Sequence, residues 1–185
     1  VDVQPLPLAR ARVRWPDYTY CVKAMSDWTR TLGLLDVLTS SDVALMACRG
    51  ARYHLDATHY GGAAFCNLFL SEDMGLDLHF PSAGCRIPLT RGTAVIFDTG
   101  QSHAVIQRHA TDFNVADFPP DRDCTQLFLT WEFPIEDVNV GRALGVVFDI
   151  DPLNSAQMTE EQVWLNGARA MVCPDSGRWR RADDT

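Results

Sequence analysis

His54-Leu55-Asp56 is answered 49 residues downstream by His103, at the close of Gly92-Thr-Ala-Val-Ile-Phe-Asp-Thr-Gly-Gln-Ser-His103. Two imidazoles and one carboxylate are the ligand set of the 2-His-1-carboxylate facial triad. That triad holds non-heme Fe(II) by one face and leaves the other face open for chemistry. Residues i and i+2 of a strand point the same way, so one strand can supply His54 and Asp56. His103 must then come from a distant strand folded back beside the first.

The residues between the two halves of the motif read as a series of short strands. Ala63-Ala-Phe-Cys-Asn-Leu-Phe-Leu70 is an apolar run, and Ser71-Glu-Asp-Met-Gly75 is a turn. Leu76-Asp-Leu-His-Phe80 alternates like a half-buried strand. Cys85-Arg-Ile-Pro-Leu89 is a strand whose Pro88 suits an edge or a bulge. Thr93 to Phe97 is apolar, Asp98-Thr-Gly100 is a tight turn, and His103 opens the strand Ala104 to Arg108. Thr125 to Phe133 is the last strong strand, and Val43 to Cys48 an earlier one. Strands of this length and spacing predict an antiparallel sandwich or barrel.

The order His54-x-Asp56, Asn67-Leu-Phe-Leu-Ser71, Gly75-Leu-Asp-Leu-His-Phe-Pro81, Arg91-Gly-Thr-Ala-Val-Ile-Phe97 and His103 resembles the 2-oxoglutarate- and Fe(II)-dependent oxygenases, in their prolyl-4-hydroxylase-like branch. The resemblance covers about residues 50–133. It implies a mainly β protein built on a double-stranded β-helix, a jelly-roll relative of the cupin barrel. It also implies a ligand set of His54, Asp56 and His103, with 2-oxoglutarate and O2 as co-substrates. The reaction would be hydroxylation, with release of succinate and CO2. A second likeness competes: Gly92-x5-Asp98-x-Gly100-x2-His103 is similar to the second cupin motif. The first cupin motif carries His-x-His followed by Glu, whereas this chain has Asp56 at the second position. The cupin alternative is a 2-oxoglutarate-independent dioxygenase or an isomerase. The two readings share a barrel and differ in chemistry.

The far carboxylate of 2-oxoglutarate needs a cation, and the planar fork of arginine suits it. In the family that residue usually starts the strand after the distal histidine. Arg122 is therefore the first candidate and Arg108 the second, with Arg86 and Arg52 behind them. Neither Arg122 nor Arg108 matches the usual spacing, and strict alternation points Arg108 away from the metal. Asn67 and Tyr60 are candidate hydrogen-bond partners of the co-substrate, since a polar residue in an apolar strand demands a partner. A structural role accounts for each of them equally well. His59 and His79 are spare histidines.

With 185 residues the chain is read as a single domain with room for a true core. The barrel is expected at about residues 42–150, an N-terminal helix at about 18–39 and a C-terminal helix at about 160–171. The first helix rests on Met25, Trp28, Leu32 and Leu35 at helical spacing, the second on the capping box Thr159-Glu-Glu-Gln162. Net charge is −8, and the only basic run is Arg178-Trp-Arg-Arg181, so a nucleic-acid partner is not expected. No membrane-length apolar run is present, so no membrane partner is expected either. Six cysteines without a Cys-x-x-Cys spacing read as reduced thiols, which places the protein in a cytoplasm. Val1 is not a natural start, so residues are expected to precede it. The substrate class is a small molecule or an amino-acid or peptide side chain.

Overall fold

The computed structural model describes residues 2–34, 36–60, 62–145 and 164–183. Its centre is eight strands that alternate between two facing antiparallel sheets. β2 (Val43–Cys48), β4 (Ala63–Phe69), β7 (Ala94–Asp98) and β9 (Gln126–Pro134) lie in the larger sheet. An added edge strand, β1 (Val3–Leu6), extends that sheet to the order β1-β2-β9-β4-β7. The smaller sheet takes β3 (Ala51–His54), β5 (Leu76–Phe80), β6 (Cys85–Pro88) and β8 (His103–Gln107), in the order β3-β8-β5-β6. Consecutive strands cross between the sheets except at the β5–β6 hairpin, and the last strand of each sheet pairs with the first. This is the strand order of a double-stranded β-helix.

Alternation along each strand explains the packing. Phe69, Val95, Phe97 and Phe128 of the larger sheet meet Leu78, Phe80 and Val105 of the smaller one in a single buried cluster, the barrel interior. The opposite face of the larger sheet carries Leu45, Cys66, Leu129, Trp131 and Phe133. It is covered by α2 (Tyr18–Thr31), which follows the short α1 (Leu8–Arg14), and by α3 (Val37–Ser40) and α5 (Val138–Leu144). Because helices cover it, the outer face of β4 is apolar, and its inward face is apolar but for Asn67. The outer face of the smaller sheet buries Tyr53, Ala104 and Ile106 under Phe113, which belongs to the loop between β8 and β9. Pro88 falls at the end of the edge strand β6, as its missing donor requires.

Two expectations need correction. The N-terminal helix does not run unbroken from 18 to 39. It stops at Thr31 and restarts at Val37, because Gly33 adopts φ +78° and the Leu34 N–H bonds back to the Thr29 carbonyl. The C-terminal helix expected at 160–171 is absent over residues 164–171. These form the hairpin β10 (Trp164–Leu165) and β11 (Ala168–Val172), and β12 (Trp179–Arg181) adds a third strand. Asn166 and Gly167, both at positive φ, make the two-residue turn that joins β10 to β11. The capping-box residues 159–162 and barrel residues 146–150 lie outside the described residues.

Candidate metal centre

Strand pairing sets the first contact. His54, the last residue of β3, is directly opposite His103, the first residue of β8. The rings lie 4.4 Å apart between centroids. A register shift between Ala51 and His54 turns the imidazole to the interior, on the side where Phe97 and Phe80 flank His103. Asp56 is not a strand residue, contrary to the expectation that one strand supplies both ligands. It sits just before α4 (Ala57–Tyr60), where its carbonyl accepts the His59 and Tyr60 N–H groups. Its side chain still reaches both histidines, with Oδ1 3.5 Å from His54 Nε2 and Oδ2 3.3 Å from His103 Nε2.

The two imidazoles are held in the same way. His54 Nδ1 lies 2.6 Å from the Arg52 carbonyl, and His103 Nδ1 lies 2.8 Å from the Gln101 carbonyl. A carbonyl only accepts, so each Nδ1 carries a proton, and Nε2 is the atom each ring presents to its neighbours. This is how metal-binding histidines are oriented. One donor atom from each residue lies within 4.8 Å of the other two, and among the described residues this is the one such group of three. The donor set and its aim fit a single divalent ion bound on one face. His103 is buried, Asp56 less so and His54 least, so solvent reaches the group from the His54 side.

Electrostatics favour the ligating forms. Burial, then the positive potential of His103, pushes the His54 pKa down from its ordinary value, so His54 is neutral at pH 7. Burial alone would raise Asp56. The hydrogen bond and charge of His103, with the charges of His54 and His59, outweigh it, and the carboxyl stays below the usual carboxylate range.

Thr99 holds the Asp56 loop, and its role was missed in the sequence. Its carbonyl accepts the N–H groups of both Asp56 and Ala57, and its fully buried hydroxyl donates to the carbonyls of Tyr60 and Ala63. The turn chemistry of Asp98-Thr99-Gly100 was legible, and Asp98 Oδ1 does accept the Gly100 N–H. The anchoring was not, because it depends on which loop lies beside the turn.

The other candidates are spread out. Asn67 shares the inward face of β4 with Phe65 and Phe69, and it is directly opposite Thr130 of β9. Both are buried, and Asn67 Oδ1 and Thr130 Oγ1 have no hydrogen-bond partner among the described residues. A polar group left so costs about 1–3 kcal/mol. Thr130 was not singled out in the sequence, and only its register with Asn67 reveals it. Tyr60 is exposed at the barrel rim, edge-on to Phe65 at 5.1 Å. Arg122 is exposed in the loop before β9, where its carbonyl accepts from Arg49. Arg108 donates to Asp73 and Asp77, Arg86 to the carbonyls of Arg108, Ala110 and Thr111, and Arg52 to Asp175. Among the described residues, no arginine or lysine occupies a strand position that faces the barrel interior. The spare His79 is on the outer face, 2.6 Å from the Tyr53 hydroxyl.

No protein-family model matches the sequence, and no curated protein matches it. Solved structures give faint likenesses. An uncharacterized conserved protein with a double-stranded β-helix domain from Klebsiella pneumoniae superimposes with a TM-score of 0.33 at 15% identity, over 51% of this chain and 67% of that one. A predicted oxalate decarboxylase from Thermotoga maritima gives 0.34 at 16% identity, over 52% and 69%. An RmlC-like cupin protein from Desulfovibrio desulfuricans gives 0.32 at 11% identity, over 50% and 74%. At such scores the strand order carries the fold assignment, not these likenesses.

Proposed function

We propose that the chain is a mononuclear non-heme iron oxygenase. One observation carries this reading: His54, Asp56 and His103 converge with both histidine Nε2 atoms aimed at the carboxylate, in an arrangement that leaves one face of a bound ion free. Iron bound there would supply the activation of O2. The chain's own part is to fix the tautomers, keep His54 neutral and Asp56 ionised, and surround the site with Phe80 and Phe97.

The resemblance of the motif order adds 2-oxoglutarate as co-substrate and hydroxylation of a small molecule or an amino-acid or peptide side chain, with succinate and CO2 released. One observation favours a second reading. Among the described residues, the interior strand positions carry no cation to pair with a far carboxylate, so the substrate itself would chelate the metal without 2-oxoglutarate, as in cupin-type dioxygenases. Reduced thiols go with a cytoplasmic setting: every cysteine in the chain is free, with Cys48, Cys66 and Cys124 buried. No helix among the described residues is long and apolar enough to cross a membrane.

Anaerobic titration of the Fe(II)-loaded protein with 2-oxoglutarate separates the readings. A weak visible charge-transfer band that disappears in His103→Ala supports the first. A folded protein with one equivalent of iron and no band leaves the second. Failure of the folded protein to take up iron at all would reject both.

A further inference from the structure

Asn67 and Thr130 form a polar ledge inside an otherwise apolar stretch of barrel wall. They are register partners on neighbouring strands, so their Cβ atoms are roughly 4.5–5.5 Å apart. In the layer toward the metal end, Phe65 is opposite Phe97, which packs against His103 at 4.9 Å. In the layer beyond, Phe69 is opposite Phe128. The ledge lies two residues along β4 from Phe65, roughly 7 Å deeper than the rim layer. Asn67 is 6% exposed and Thr130 9%, and neither Oδ1 nor Oγ1 has a partner among the described residues. Buried polar groups are nearly always satisfied, so two adjacent orphans facing one interior point to a group that comes from outside the chain. Among the described residues no cation accompanies them, and the nearest charge on that face of β9 is the rim carboxylate of Glu132, opposite Phe65. Asn67 and Thr130 offer uncharged donors and acceptors, and among the described residues no arginine or lysine shares their inward face; on the smaller sheet Arg86 is engaged by backbone carbonyls, and just past β8 Arg108 is engaged by Asp73 and Asp77. A carboxylate buried here would lack its counter-ion, whereas a carboxamide or hydroxyl would satisfy both orphans.

We infer that Asn67 and Thr130 are a specificity subsite for the uncharged, hydrogen-bonding tail of a small acid whose other end chelates the metal at His54, Asp56 and His103. The inference rests on the metal centre proposed above and gives its ligand a class: a 2-oxo acid ending in a carboxamide or hydroxyl rather than a second carboxylate.

A matched pair of probes tests it. 2-Oxoglutarate and 2-oxoglutaramate differ only in a terminal carboxylate against a carboxamide. Each is titrated calorimetrically, without oxygen, into wild-type protein first shown to hold one equivalent of Fe(II). The amide acid is expected to bind at least about tenfold more tightly. The isosteric Thr130→Val and the smaller Asn67→Ala are expected to erase that preference, with iron stoichiometry unchanged and Thr130→Ser retaining it. Equal or tighter binding of 2-oxoglutarate overturns the inference, and so does a preference that survives in both variants. Iron-loaded protein that binds neither acid overturns the subsite while sparing the metal centre. Protein that takes no iron overturns the metal centre, and the subsite with it. The wild-type comparison decides the matter even if a variant fails to fold.

Discussion

His103 is the least exposed of the three ligands and the one packed most closely by aromatic rings. His103→Ala should abolish stoichiometric Fe(II) or Co(II) binding, and Asp56→Ala should do the same, measured by calorimetry or metal analysis of the folded variants. Arg52→Ala and Gln101→Ala should leave affinity within about twofold, since only their carbonyls hold the histidines. His79 allows a test of acid sensitivity away from the metal. Burial, then the charge of Arg86, pushes its pKa below the ordinary 6.5, so the folded state resists a proton that the unfolded chain accepts. Its contribution is complete above pH 6.5 and is lost as pH falls from there toward the depressed folded value. The urea midpoint should therefore be lower at pH 5.5 than at 7.5, and His79→Asn should flatten that slope without changing metal binding. The triad was legible because residue type and spacing carry it. Asn67 could be flagged as a polar residue in an apolar strand. Thr130 could not, because its meaning lies in a pairing made across more than sixty residues of chain.

At the scale of elements, the strands were legible from apolar runs bounded by turns. β2 spans Val43–Cys48 as its pattern predicts, and β8 begins at His103. The helices were harder to read. The stripe of Met25 and Trp28 marks the buried side of α2, but Gly33 ends the helix where the sequence stripe continues. Near the C-terminus Asn166-Gly167, a strong local hairpin signal, sets the structure of residues 164–172, where the capping box points to a helix. Two changes test the packing of elements. Met25 is 2% exposed under α2, so Met25→Ala should destabilise by about 2–5 kcal/mol in urea unfolding. Tyr20→Ala, on the exposed side of the same helix, should change stability by less than about 0.5 kcal/mol. Gly177 sits at φ +70°, and a Cβ there would lie 2.6 Å from both Pro81 Cγ and Tyr53 Cδ1. Gly177→Ala should therefore loosen the C-terminal segment from the outer face of the smaller sheet, at a cost of about 1–3 kcal/mol. Faster proteolysis after Val172 would report it.

For the molecule as a whole, the order of the eight strands matters more than any one contact. It places the third and the eighth described strands side by side, so residues remote in sequence share one end of the barrel. Loading with metal should raise the melting temperature in scanning fluorimetry, and a chelator should reverse the gain. An ion at 100 times its Kd adds about 2.7 kcal/mol to the folded state. The pairing of His54 with His103 gives that gain a second meaning. An ion bridging them ties a loop of 49 residues, which makes it a reversible cross-link comparable to a disulfide. By the entropy of loop closure, a covalent tie of that span is worth about 4 kcal/mol. In a protein whose cysteines are all free, a metal held there would act as a staple that can be inserted or withdrawn, and thermal stability should follow metal supply.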